Sequence, residues 1–438
     1  MKIVKILIPI VFIAFLFSGC KGFTLESSID DLISPVSPAG DDAGVQSAMD
    51  AYCKGGYSVK IPAAGEHTTS YIYYDYDGDG QNEAVAFYEP NDALGKIDMA
   101  VLEKNKNGSW HVVANAQGEG SDVYSVDFCD VNGDGRYEFL VSWNVISNST
   151  SHLLSIYKYT TDEEQQTSLE QISDSIQYSA YIPVDMLGDK TPELLVFTVD
   201  QLKSISASAT LYSFNGDEKS TLGETRVDGH ISSYKNLQVG KADDNTAVYA
   251  DAVKSDGASM VTEVIYWSDY YDSIISPFYS YSTGLTSDTT RDAMVTSFDI
   301  NDDGNVEIPT DADVKKMPSE VNAVDWCVYE SSILIHSCYS LSVVHDKYQI
   351  LIPDKYFDKI SVSYDEKTKS MTVSSKEEKK EVFTVMPVLK SHYDSKSSTY
   401  ADYTPLVSDS GYVYLAKTGD ASDIKISTDT LKEMIKTI

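Results

Sequence analysis

Four stretches of the chain set acids and amides at alternate positions and close on a glutamate at the ninth. They are Asp75-Tyr-Asp77-Gly-Asp79-Gly-Gln81-Asn-Glu83, Asp130-Val-Asn132-Gly-Asp134-Gly-Arg136-Tyr-Glu138, Asp185-Met-Leu187-Gly-Asp189-Lys190-Thr-Pro-Glu193 and Asp299-Ile-Asn301-Asp-Asp303-Gly-Asn305-Val-Glu307. Oxygens at positions 1, 3 and 5 can wrap one side of a hard cation. Glycine at position 6 allows the turn, the main-chain carbonyl at position 7 adds a ligand, and the acid at position 9 closes the shell. Calcium takes roughly six to eight such oxygens at ~2.3–2.6 Å. The expected calcium ligands are Asp75, Asp77, Asp79, the carbonyl of Gln81 and Glu83 in the first loop. In the second they are Asp130, Asn132, Asp134, the carbonyl of Arg136 and Glu138. In the last they are Asp299, Asn301, Asp303, the carbonyl of Asn305 and Glu307. Leu187 and Lys190 spoil positions 3 and 6 of the loop at Asp185, so metal there is left open. An EF-hand needs an acid at position 12, where these stretches have Ala86, Val141, Val196 and Thr310.

The elements that hold these loops follow from their spacing. The first three begin at 75, 130 and 185, a period of 55 residues. One more period falls on Gly240, where Gly240-Lys-Ala-Asp243-Asp244 reads as a copy with its acids eroded, and the last copy begins at 299. Strand-like runs flank each loop, with Tyr71–Tyr74, Tyr124–Cys129, Ala180–Val184 and Val295–Phe298 entering and Ala84–Tyr88, Phe139–Trp143 and Leu194–Thr198 leaving. Four strands per ~55 residues is the size and order of a propeller blade. The chain thus reads as mainly β, a β-propeller of about five or more four-stranded blades followed by a small α+β domain.

Over roughly residues 55–345 the repeated Asp-x-Asp/Asn-x-Asp-Gly-x-x-Glu resembles FG-GAP or VCBS-type repeats. The resemblance implies a β-propeller with calcium in its blade loops. The whole chain is also similar to an uncharacterised group of bacterial lipoproteins in which a propeller precedes a small C-terminal domain.

Residues 1–20, MKIVKILIPIVFIAFLFSGC, have Lys2 and Lys5 before an apolar stretch of twelve residues, Ile6–Phe17. That is short for a membrane span, which needs ~20 apolar residues, and fits a secretory segment. Leu16-Phe17-Ser18-Gly19-Cys20 resembles a lipobox, which implies acylation of Cys20 and anchoring of an exported chain to the bacterial membrane. The alternative is an ordinary signal peptide with an incidental cysteine. Residues 21–54 read as a tether and short helix, 55–345 as the propeller and 346–438 as the α+β domain, with a helix expected over Thr428–Ile438. Cys53, Cys129, Cys327 and Cys338 have no zinc-type spacing. Cys327 and Cys338 could pair across a hairpin or stay as thiols.

The formal charge of −33, becoming −35 without Lys2 and Lys5, excludes nucleic acid as a partner. Scattered histidines and the lack of HExxH or GxSxG patterns give no catalytic residues, so no enzyme is expected. Trp267, Tyr270, Tyr271, Phe278, Tyr279 and Tyr281 cluster where the calcium acids are lost. They could stack on sugars, hold a protein partner or pack in the core. The leading expectation is a lipid-anchored, calcium-stabilised binding module for a glycan or protein outside the cytoplasm. Alternatives are a secreted hydrolase or lyase on a propeller scaffold and a structural accessory of a membrane complex.

Overall fold

The computed structural model describes residues 40–145, 151–161, 167–200, 205–314, 316–395, 397–409 and 411–438. The secretory segment, Cys20 and the tether up to residue 39 lie outside the described residues. Five antiparallel sheets follow one another along the chain as propeller blades. In the first, Tyr57–Lys60 and Ile72–Tyr74 both pair with Glu83–Pro90, which pairs with Asp98–Lys104 and that with Trp110–Gln117. The second runs Asp122–Cys129, Glu138–Asn144 and His152–Thr161, with Thr167–Gln171 and Ile176–Tyr178 both on the last. The third runs Ala180–Val184, Glu193–Asp200, Ser206–Asn215, Glu218–Val227, and the fourth Ile231–Ala242, Asn245–Lys254, Met260–Ser268, Ser273–Ile275.

In the first two blades the strand that follows the acidic loop is buried on both faces because it sits between neighbouring sheets. Glu83 to Tyr88 are all buried, as are Glu138 to Trp143. A continuous apolar run of this length is what a strand buried on both sides needs. Valines, phenylalanines and leucines of adjacent sheets interdigitate. Phe87 and Phe139 join the first two, Leu140 and Leu194 the second and third, Leu195 and Val248 the third and fourth, and Tyr249 and Ile308 the fourth and fifth. The helix Asp41–Tyr52 covers the first sheet with Val45 and Met49.

The fifth sheet runs Ile308–Asp311, Asn322–Glu330, Ile333–Val343, Tyr348–Ile352 and Ile435–Thr437. The boundary expected at 345 therefore falls between two strands of one sheet. A sixth sheet, ordered Ile360–Asp365, Ser370–Ser375, Glu381–Leu389, Tyr412–Thr418, Thr404–Asp409, shares a core with it through Leu341, Tyr348, Met371 and Phe383. The C-terminal helix is shorter than its apolar spacing predicts. It covers Thr428–Met434, capped by Ser427, whose hydroxyl accepts the Thr430 N–H. Residues Ile435–Thr437 leave it to pair with Tyr348–Ile350; β-branched Ile435 and Thr437 suit a sheet edge. The strand expected at Val295–Phe298 reduces to a single bridge between Phe298 and Glu307.

Candidate metal centre

The first three acidic loops join Ile72–Tyr74 to Glu83–Pro90, Asp122–Cys129 to Glu138–Asn144 and Ala180–Val184 to Glu193–Asp200, the last lies between the Phe298 bridge and Ile308–Asp311, and one hydrogen-bond pattern recurs. The glutamate at position 9 opens the outgoing strand in the first three loops (Glu83, Glu138, Glu193) and forms the bridge to Phe298 in the last (Glu307). All four are buried. Each accepts the N–H of position 2, from Tyr76 at 3.4 Å, Val131 at 3.0 Å, Met186 at 2.8 Å and Ile300 at 3.1 Å. The aspartate at position 1 accepts the N–H of position 6, from Gly80 at 3.0 Å, Gly135 at 2.9 Å, Lys190 at 3.1 Å and Gly304 at 2.8 Å. The aspartate at position 5 accepts the N–H of position 7, from Gln81 at 2.8 Å and from Arg136, Thr191 and Asn305 at 2.9 Å. The side chains of Tyr76, Val131, Met186 and Ile300 are buried. This apolar plug at position 2, present in all four copies, is a signal that the alternation of acids overshadows.

Position 6 is left-handed in every copy, at φ 87° for Gly80 and Gly135, 90° for Gly304 and 81° for Lys190. Lysine bears a steric cost there that glycine avoids, so the third loop holds its shape against its own sequence. The eroded copy does not form this loop. Asp243 and Asp244 instead make the two-residue turn of a hairpin, with Ala242 paired to Asn245 and Asp243 at φ 53°.

The loops differ in what faces the glutamate. Asn132 donates its amide to Glu138 Oε1 at 2.8 Å, and Asn301 donates to Glu307 Oε1 at the same distance, with Ser337 adding a bond at 3.1 Å. In the first loop position 3 is Asp77, which has no proton to give. Oxygens of Asp75, Asp77 and Glu83 lie within 4.8 Å of one another. Asp75 Oδ1 is buried with no hydrogen bond. Burial, and next the Asp77 carboxylate, push Glu83 up to about 8. Burial pushes Glu138 up to about 7 and Glu307 up to about 6. Fewer donors and more like charge account for that order. The first loop thus has a convergent set of hard oxygens lacking a countercharge, which fits a divalent cation. The second and last loops bring their expected residues together but satisfy the glutamate internally. Side chains of Gln81 and Asn305 bond the carboxylates of Asp79 and Asp303, while that of Arg136 lines a cleft with Asp134 and Glu138.

Cys53, Cys129, Cys327 and Cys338 are free thiols. A bulge sets Cys327 opposite His336 and Cys338 opposite Trp326. The aromatic cluster divides between surface and interior. Tyr270, Tyr271 and Tyr281 are 87%, 65% and 75% exposed, while Phe278 is buried between the fourth and fifth sheets.

Residues 64–141, which hold the first two loops, match the model of the FG-GAP-like repeat family. No curated protein matches the chain. Among solved structures the chain is similar to the exotype rhamnogalacturonan lyase YesX, at 12% identity and a TM-score of 0.29, over 73% of this chain and 63% of that one. It is also similar to the rhamnogalacturonan lyase PL11 of Bacillus licheniformis, at 11% identity and a TM-score of 0.28, over 86% and 74%. A third is the Dos1 propeller, at 8% and 0.31, over 82% and 80%. The chain thus spans less than two thirds of the YesX lyase.

Proposed function

We propose, from the premise of an FG-GAP-like repeat propeller, that this chain is a non-catalytic binding module. In this reading Cys20 anchors it outside the cytoplasm, and its first acidic loop is locked by calcium. The observation that carries the calcium reading is the convergence of Asp75, Asp77 and Glu83 around the unpartnered Asp75 Oδ1. Asp75, Asp77 and Glu83 would hold the ion, with Asp79 and the Gln81 carbonyl beside them. Bound calcium would supply the positive charge that three carboxylates need and would fix the loop between the first two strands. Asp130, Asn132, Asp134, the Arg136 carbonyl and Glu138, and Asp299, Asn301, Asp303, the Asn305 carbonyl and Glu307, are the weaker sites. Their amides would have to release the glutamates first.

A rigid array of blades with its variation in surface loops suits recognition, since fold alone does not dictate chemistry. The full chain, immobilised, is expected to capture a glycan or surface protein in calcium, and to capture less in EDTA. Capture of neither contradicts the binding reading. New reducing ends or unsaturated sugar products would favour the hydrolase or lyase reading instead.

A further inference from the structure

We infer that the outer rim where the third, fourth and fifth sheets meet binds a neutral polysaccharide chain. The inference rests on the binding-module reading and adds a place and a ligand class. A cleft of about 530 Å³ is lined by Tyr271, Tyr279, Tyr281, Pro277, Glu224 and Ser332. It opens between the edge strands Glu218–Val227 and Ser273–Ile275, the hairpin of Tyr279–Ser280 with Leu285–Thr286, and the turn at Ser331 and Ser332.

Packing does not explain the exposed rings. In the same stretch Ile274 and Phe278 are buried and join the sheet cores, whereas Tyr271 and Tyr281 stay mostly in water. Their neighbours brace them in edge-to-face pairs, Tyr270 with Tyr271 at 4.8 Å and Tyr279 with Tyr281 at 5.0 Å. A braced tyrosine loses little conformational freedom on binding and offers an apolar face with a polar tip. The C–H face of a pyranose suits the ring, and sugar hydroxyls suit the phenols, Ser332 and the Glu224 carboxylate.

Charge selects among ligands. Among the described residues lining the cleft none is basic, Glu224 is acidic, and the chain as a whole carries −33. A polyuronate or an acidic peptide would meet repulsion there. A neutral saccharide meets none.

The test is affinity electrophoresis of the full chain through native gels cast with galactomannan, xyloglucan, laminarin or polygalacturonate. At least one neutral gel is expected to retard it, and polygalacturonate is not. Tyr271→Ala and Tyr281→Ala should each weaken retardation by about tenfold, the loss of one good stacking contact, with unchanged melting because both rings are exposed. Retardation undiminished in both variants overturns this site and leaves the binding reading intact. Retardation by polygalacturonate alone, or by no gel, also overturns it. If immobilised chain also captures no protein, the binding reading falls as well.

Discussion

Replacing Arg291 by leucine is expected to destabilise the chain by ~3–5 kcal/mol, the usual cost of stripping one partner from a buried ion pair. Both side chains of the Arg291–Asp251 pair have no exposure, and their charged atoms stand 2.9 Å apart. The guanidinium also donates to Thr262 Oγ1 at 2.9 Å, the Thr289 carbonyl at 3.1 Å and the Val295 carbonyl at 3.0 and 2.6 Å. Asp251 accepts further bonds from the Ser297 N–H at 2.7 Å and the Thr262 hydroxyl at 2.6 Å. Leucine would leave a carboxylate buried without a countercharge and two carbonyls without donors. The pair ties the fourth sheet to the segment that leads into the loop at Asp299, because Arg291 also forms a backbone bridge with Met260. Urea denaturation of Arg291→Leu should show the loss, and Arg291→Leu/Asp251→Leu should recover part of it. An unchanged urea midpoint in the single variant would refute this account of the junction.

The second large effect has the opposite sign. In EDTA, Asp77→Asn is expected to raise stability by ~0.5–1.5 kcal/mol, the net scale of one hydrogen bond. The substitution gives the first loop the residue the second and last loops already use, where Asn132 and Asn301 donate to the facing glutamates at 2.8 Å. It also removes one of three crowded negative charges. In millimolar calcium the advantage should shrink or reverse, because the wild type then gains more from the ion. A pH dependence accompanies it. Glu83 titrates at about 8 in the fold against an ordinary value of 4.5. Below pH 4.5 the acid is protonated in both states and burying it carries no charge penalty. Between 4.5 and 8 the folded chain holds the proton more tightly, so the Glu83 contribution to stability declines as pH rises, reaching its full cost above 8. Asp77→Asn should flatten that slope. Thermal melts of both forms in EDTA across this range check both effects, and a lower melting point for Asp77→Asn in EDTA would contradict them.

The sequence carried the repeat because a blade must present the same turn chemistry at the same place in each copy. Positions 1, 5 and 9, read from the sequence as cation ligands, and position 6, read as the turn, share one hydrogen-bond pattern in all four loops. What stayed hidden depends on partners far apart in the chain. Asp251 and Arg291 are 40 positions apart, and no local pattern joins them. The amphipathic spacing of Leu431, Met434 and Ile435 suggests a longer helix, yet a strand edge at Tyr348–Ile350 recruits the end of it. The eroded copy kept the strand pairing of a blade once its acids were gone, because a two-residue turn can replace a nine-residue loop. Aromatics in one short stretch read alike in sequence, and only the packing of neighbouring sheets separates buried Phe278 from exposed Tyr281.

Isothermal titration of calcium into the EDTA-stripped full chain, alongside Asp75→Ala, tests the metal reading most directly. The wild type should bind calcium saturably, with the tightest site lost in Asp75→Ala. Titrations of the two proteins that superimpose, or an absence of binding at millimolar calcium, would contradict it.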